Sequence, residues 1–85
     1  LTKVFARELA GRGVTVNAVA PGPLDLPSVH ELLGPDRLEA LRRQVPAGTL
    51  GDPDYVAEMV LLLTRPEAAF ATGSTWDVNG GLLMR

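Results

Sequence analysis

Val14-Thr15-Val16-Asn17-Ala18-Val19-Ala20-Pro21-Gly22 is a short apolar run that ends in a Pro-Gly turn and opens into a Pro-rich loop, Pro23-Leu24-Asp25-Leu26-Pro27. Small or apolar residues fall on both sides of its alternation: Val14, Val16, Ala18 and Ala20 on one, Thr15, Asn17 and Val19 on the other. Such a strand, over 14–20, suits burial on both faces, as in a parallel sheet. Asn17 is the polar exception, and a buried amide needs partners. In open α/β sheets, ligands sit beyond the carboxyl ends of the strands. A strand that stops against rigid backbone therefore points at a binding edge. Three prolines and a glycine over 21–27 leave little room for regular structure there.

Upstream, Leu1, Val4, Phe5 and Leu9 keep helical spacing while Lys3, Arg7 and Glu8 lie off the stripe. This predicts a helix over 1–10, the end of a longer one, with Gly11 as a left-handed cap. Downstream, two helical pieces are expected at 28–33 and 35–45. The second opens on Pro35 and carries Leu38, Leu41 and Val45 as its apolar stripe. Asp52 and Pro53 read as the N-cap and first residue of a helix over 53–64, stopped before Pro66. Apolar residues cover nearly its whole circumference, so it should be buried on more than one side. Val56, Met59, Val60 and Leu63 can cover a sheet; Tyr55 and Leu62 point elsewhere. After a short link over 67–72, a final strand over 74–78 places Trp76 and Val78 on one face, and Asn79-Gly80-Gly81 ends it. Two strands joined through helices are parallel, and a two-stranded sheet is too small to stand alone. Ordering 85 residues costs on the order of 1.5 kcal/mol each, which a half-built core hardly offsets. The pattern predicts an α/β chain that completes a larger sheet.

The bulk properties narrow the function. A chain of 85 residues holds one small domain at most, and 46% hydrophobic with 21% charged residues is a globular composition. A net charge of −2 argues against nucleic acid or an anionic membrane as partner. There is no cysteine, which is compatible with a reducing compartment, and a cytoplasmic location is expected. No apolar run of membrane-spanning length is present. One histidine, His30, cannot anchor a metal site. The first residue is Leu1, within a helix, and a fragment, a processed product or a partly recorded chain is the expectation.

Five stretches, in order, carry a resemblance: Leu1-Thr-Lys with Ala6-Arg-Glu-Leu9; Gly13-Val-Thr-Val-Asn-Ala-Val-Ala-Pro-Gly22; Leu50-Gly-Asp-Pro53; Ala71-Thr-Gly-Ser74; and Asp77-Val-Asn-Gly-Gly81. Together they cover essentially the whole chain, which resembles the C-terminal third of a short-chain dehydrogenase/reductase, similar to 3-oxoacyl-carrier-protein reductases and related ketoreductases. The resemblance implies the last two parallel strands and helices of a doubly wound Rossmann-type sheet, incomplete on its own. Residues 1–85 would be the C-terminal segment of a single NAD(P)-binding domain, with 24–45 as its substrate-binding lobe. It further implies that Pro21 and Gly22 meet the nicotinamide half of NAD or NADP and that the Leu24 backbone bonds its carboxamide. Rigid backbone reads a carboxamide well, and Gly permits close approach. A side chain at position 22 should then obstruct the cofactor more than the fold. The plainer reading is that Pro-Gly merely turns the chain.

The family usually has Thr where this chain has Leu26, a side chain with no donor. A lost hydrogen bond there is worth roughly 0.5–1.5 kcal/mol; Ser28 could replace it only through a rearranged loop. Asn79 stands where Asp is common. The catalytic Tyr-x-x-x-Lys is not in these residues, for Tyr55 is followed four positions on by Met59. By family spacing the catalytic Lys would lie shortly before Leu1, with the catalytic Ser and cofactor-binding glycines further upstream. Gly11-Arg-Gly13 is no dinucleotide motif, since it follows a helix and lacks its third Gly. Asp25 and His30 fall in the lobe, where a solvated loop is the blander reading. The resulting expectation is an oxidoreductase moving a hydride between nicotinamide and a carbonyl or secondary alcohol, inactive as this chain alone. Its partners would be the N-terminal remainder, a small-molecule substrate and further copies of itself, packed through helix 53–64 and the last strand. The alternative is a non-catalytic family remnant acting as an interaction or ligand-binding module.

Overall fold

The computed structural model describes residues 1–85. Helix α1, Thr2–Leu9, runs into a 3-10 turn, Ala10–Arg12. The left-handed residue that closes it is Gly13 (φ 76°, ψ 20°), not Gly11. The tighter 3-10 turn carries the chain two residues further before reversal, and the Leu9 carbonyl then accepts from Val14 N–H. The Leu1, Val4, Phe5 stripe does not pack: these residues are 88%, 57% and 45% exposed. The buried residue of α1 is Ala6, which faces Gly73.

Strand β1, Ala18–Pro21, pairs in parallel with β2, Thr75–Val78, in the register Ala18↔Thr75 to Pro21↔Val78. The sheet has these two strands, so the other edge of β1 is open. This is the parallel α/β arrangement of a Rossmann-type sheet. The first strand begins four residues later than its apolar run. Opposite 14–17 the partner chain turns at Gly73 (φ 80°), so a ladder cannot form. One backbone bond remains, Gly73 N–H to the Val16 carbonyl (2.8 Å), and side chains supply the others: Val16 N–H donates to Thr72 Oγ1 (3.0 Å), and Asn17 Nδ2 to the Ala71 carbonyl (2.9 Å). Asn17 Oδ1 accepts from Ser74 N–H (3.2 Å) and Trp76 Nε1 (3.4 Å). The partners that a half-buried amide demands all lie more than fifty residues away.

Helix α2, Pro27–Gln44, is two pieces broken at Gly34 (φ 73°, ψ 170°), as Pro35 requires. Leu38 and Val45 are buried at its second end. Helix α3, Pro53–Leu63, is capped as expected, Asp54 N–H donating to Asp52 Oδ1 at 2.9 Å. Val56, Met59 and Leu63 are half-buried, whereas Tyr55 and Leu62 stand 50% and 51% exposed. A second 3-10 turn, Pro66–Ala68, leads back to β2. No helix is long and apolar enough to cross a membrane.

Candidate functional site

The carboxyl ends of β1 and β2 are built from three loops locked together by glycines. Ladder bonding continues one step past β1, where Gly22 N–H donates to the Val78 carbonyl (2.9 Å). A methyl group on Gly22 would lie 2.7 Å from Asn79 Cβ and 2.9 Å from its Cα. Real Cβ atoms do not approach so closely, so Asn79 already fills the space beside Gly22. Position 22 is Gly because a neighbouring strand end demands it. A side chain there would therefore strain the fold at Asn79, in addition to whatever it does to a cofactor.

Beyond Gly22 the loop is pinned to the segment before α3. Gly51 N–H donates to the Pro23 carbonyl (2.9 Å), and Asp25 N–H to the Gly51 carbonyl (2.8 Å), forming a parallel bridge between Leu24 and Gly51. Gly51 keeps this approach open: a methyl on it would meet Leu24 Cδ2 at 3.0 Å. Four backbone groups over 21–26 are left over, the Pro21, Gly22 and Asp25 carbonyls and, as the one free donor, Leu24 N–H. The Gly22 carbonyl accepts no bond within the chain, and Leu24 N–H donates none. Pro23, between them, has no N–H to contribute. One acceptor and one donor, two residues apart on pinned backbone, match what a carboxamide requires. Pro21 is exposed at the end of β1 and offers rigidity instead of a bond.

Leu26 takes the N-cap position of α2 (φ −115°, ψ 145°) with no side-chain cap. Its carbonyl accepts from Val29 N–H (3.0 Å) and His30 N–H (3.3 Å). Ser28 is exposed in the first turn of the helix and makes no side-chain bond. His30 Nε2 and Asp25 Oδ1 form a close pair, both half-exposed, tying that turn to the loop before it. The sequence marked Gly51 only as the end of a loop within the family-like stretch 50–53, and little was attached to Asn79. Both hold the loop from the far side of the chain; Asn79 was signalled only by its place before paired glycines, Gly51 only by its place before the Asp52-Pro53 helix start.

A wider concavity lies elsewhere, an open apolar groove of about 450 Å³ on α3 and β2, lined by Tyr55, Met59, Leu62 and Trp76 together with Glu58 and Arg65. It offers no convergent polar groups.

Residues 1–83 match a family model described as Enoyl-(Acyl carrier protein) reductase. The chain is 51% identical over 83 residues to a 3-oxoacyl-[acyl-carrier-protein] reductase of Vibrio harveyi, covering 98% of this chain and 34% of the relative. A protein of the same description from Thermotoga maritima is 42% identical over 84 residues, 99% of this chain and 34% of the relative. An acetoacetyl-CoA reductase of Shinella zoogloeoides is 43% identical over 82 residues, 94% of this chain and 33% of the relative. The chain spans about a third of the length of these curated relatives.

Proposed function

This chain belongs to the short-chain dehydrogenase/reductase family, and on that premise we propose that it forms the C-terminal third of an NAD(P)-dependent oxidoreductase acting on a 3-oxoacyl thioester. The observation that carries the cofactor reading is the unpartnered pair at the end of β1, the Gly22 carbonyl and Leu24 N–H. In this reading they hold the carboxamide of the nicotinamide, Pro21 stiffens the approach, and the Leu24–Gly51 bridge fixes the distance to the lobe over 24–45. When bound, NAD or NADP supplies the hydride chemistry. This chain's part is to orient the carboxamide and to form the floor of the substrate lobe. The proton donor, a Tyr with its neighbouring Lys, comes from the N-terminal remainder, so residues 1–85 alone are inactive. The thioester class draws on the names of relatives 42–51% identical, which agree on a 3-oxo group or acetoacetyl-CoA; the enoyl description of the broader family model is the less specific guide. A cytoplasmic location and a homo-oligomer through α3 and β2 belong to the same reading.

Two substitutions at one position test the cofactor contact in the complete protein. Leu24→Ala loses the side chain against Gly51 but keeps the N–H; Leu24→Pro loses both. NAD(P)H affinity should be about three- to tenfold weaker for Leu24→Pro than for Leu24→Ala, the value of one hydrogen bond to a ligand. Equal affinities for the two would remove Leu24 N–H from the site. The non-catalytic alternative draws on Leu26, where no side-chain donor is available, and predicts no saturable NAD(P)H binding at all.

A further inference from the structure

The segment after β2 reaches both sides of the proposed cofactor edge. Asn79 lies against Gly22, and its carboxamide is used at both ends: Oδ1 accepts from Gly81 N–H (3.0 Å) and Nδ2 donates to the Leu83 carbonyl (3.0 Å). The Asn79 carbonyl also accepts from Leu82 N–H (3.1 Å). These three bonds close residues 79–83 into a turn. The next residue grips the lobe. The Gly80 carbonyl accepts from Ala47 N–H (2.9 Å), and a methyl on Gly80 (φ 62°) would stand 2.6 Å from Cγ1 of the buried Val45. One turn thus touches the Pro21-Gly22 turn on one side and the base of the lobe on the other.

We propose that Asn79 is a positioning residue for nicotinamide binding, holding the 79–83 turn so that Gly22 and Leu24 present their free carbonyl and N–H in one fixed arrangement. The inference rests on the functional reading above. It explains why the amide matters chemically. An Asp in its place could still accept from Gly81 N–H, but it has no donor for the Leu83 carbonyl, and its charge would face that oxygen. Ala would keep the Cβ against Gly22 and lose both side-chain bonds.

The test measures NAD(P)H affinity and thermal stability together in the complete protein, for Asn79→Ala, Asn79→Asp and Thr64→Ala. Thr64 makes one hydrogen bond, Oγ1 to the Leu61 carbonyl at 2.8 Å, at the distant end of α3. Asn79→Ala should weaken NAD(P)H binding about three- to tenfold and raise the cofactor KM with little change in kcat, as expected when uniform binding is lost. Asn79→Asp should fall between Asn79→Ala and the parent. Thr64→Ala should lower stability and leave affinity at the parental value. Parental affinity in Asn79→Ala, or a loss in Thr64→Ala as large as in Asn79→Ala, would make Asn79 a structural residue only. A parent protein that binds neither NADH nor NADPH would instead overturn the functional reading, and this inference with it.

Discussion

Leu26 occupies an N-cap with a side chain that can cap nothing. Ser, Thr, Asp or Asn there would satisfy a free N–H of the first turn. Leu26→Thr is therefore expected to act twice, since a hydroxyl can accept the capping bond and still donate its own proton outward. Stability should rise by about 0.5–2 kcal/mol, read by thermal denaturation. NAD(P)H should bind about two- to tenfold tighter, read by titration. A gain in stability with unchanged affinity would show that the side chain at 26 does not reach the cofactor. At this scale the sequence was legible wherever the cause was local. Asp52 announced its own cap, and Pro21-Gly22 announced a turn. The reason for Gly22 was not legible, because Asn79 lies 57 positions away and only pairing of β1 with β2 brings the two together. Asn17 was legible as a need for partners, though not as to which partners.

Helix α3 carries more apolar surface than the sheet can use. Val56, Met59 and Leu63 are half-buried, while Tyr55, Leu61 and Leu62 remain at least half exposed beside Trp76. In an antiparallel pairing of two copies about a two-fold axis, Glu58 of each would approach Arg65 of the other, with Leu61 and Leu62 between them; such an isologous contact repeats every interaction. Leu62→Glu should then reduce the size of the complete protein's assembly, measured by light scattering, while its circular dichroism stays folded, because each two-fold contact would bury the charge twice. Parental size would place the surplus against its own subunit. The division of α3 into a sheet-facing and a surplus side was readable from helical spacing at Val56, Met59 and Leu63, but not at Val60, which was expected to face the sheet and is 45% exposed. The α1 helix and its apolar stripe were legible in the same way, although Leu1, Val4 and Phe5 lie exposed. Period alone names an apolar face, and nothing local says whether a neighbour covers it. Strand β1 was overextended because Val14 and Val16 look like strand, whereas the limit is set by the turn at Gly73 in the partner segment.

As a whole, the chain has too much surface for its mass. A 9.0 kDa globular protein exposes about 4,900 Å², and this one exposes 6289 Å². Its radius of gyration is 15.7 Å, against about 12 Å for a compact chain of this length. Four residues are buried, and three of them, Leu38, Val45 and Leu50, belong to the lobe or its base. The surplus exceeds the roughly 800 Å² that one partner commonly contributes to a stable interface. Exposed Leu1, Val4 and Phe5, the open edge of β1 and the outer side of α3 are where it lies. The need for a larger sheet was legible from the count of two parallel strands, since topology forbids such a sheet from standing alone; the places left bare depend on packing and were not. The most direct test joins the first two-thirds of the Vibrio harveyi 3-oxoacyl-[acyl-carrier-protein] reductase to this chain at the position matching Leu1, and follows oxidation of NADPH or NADH with acetoacetyl-CoA. The chimera is predicted to turn over with at least one of the two nucleotides, and residues 1–85 alone to show no oxidation above background. A chimera that folds cooperatively yet consumes neither nucleotide, or turnover by the isolated chain, would contradict the account.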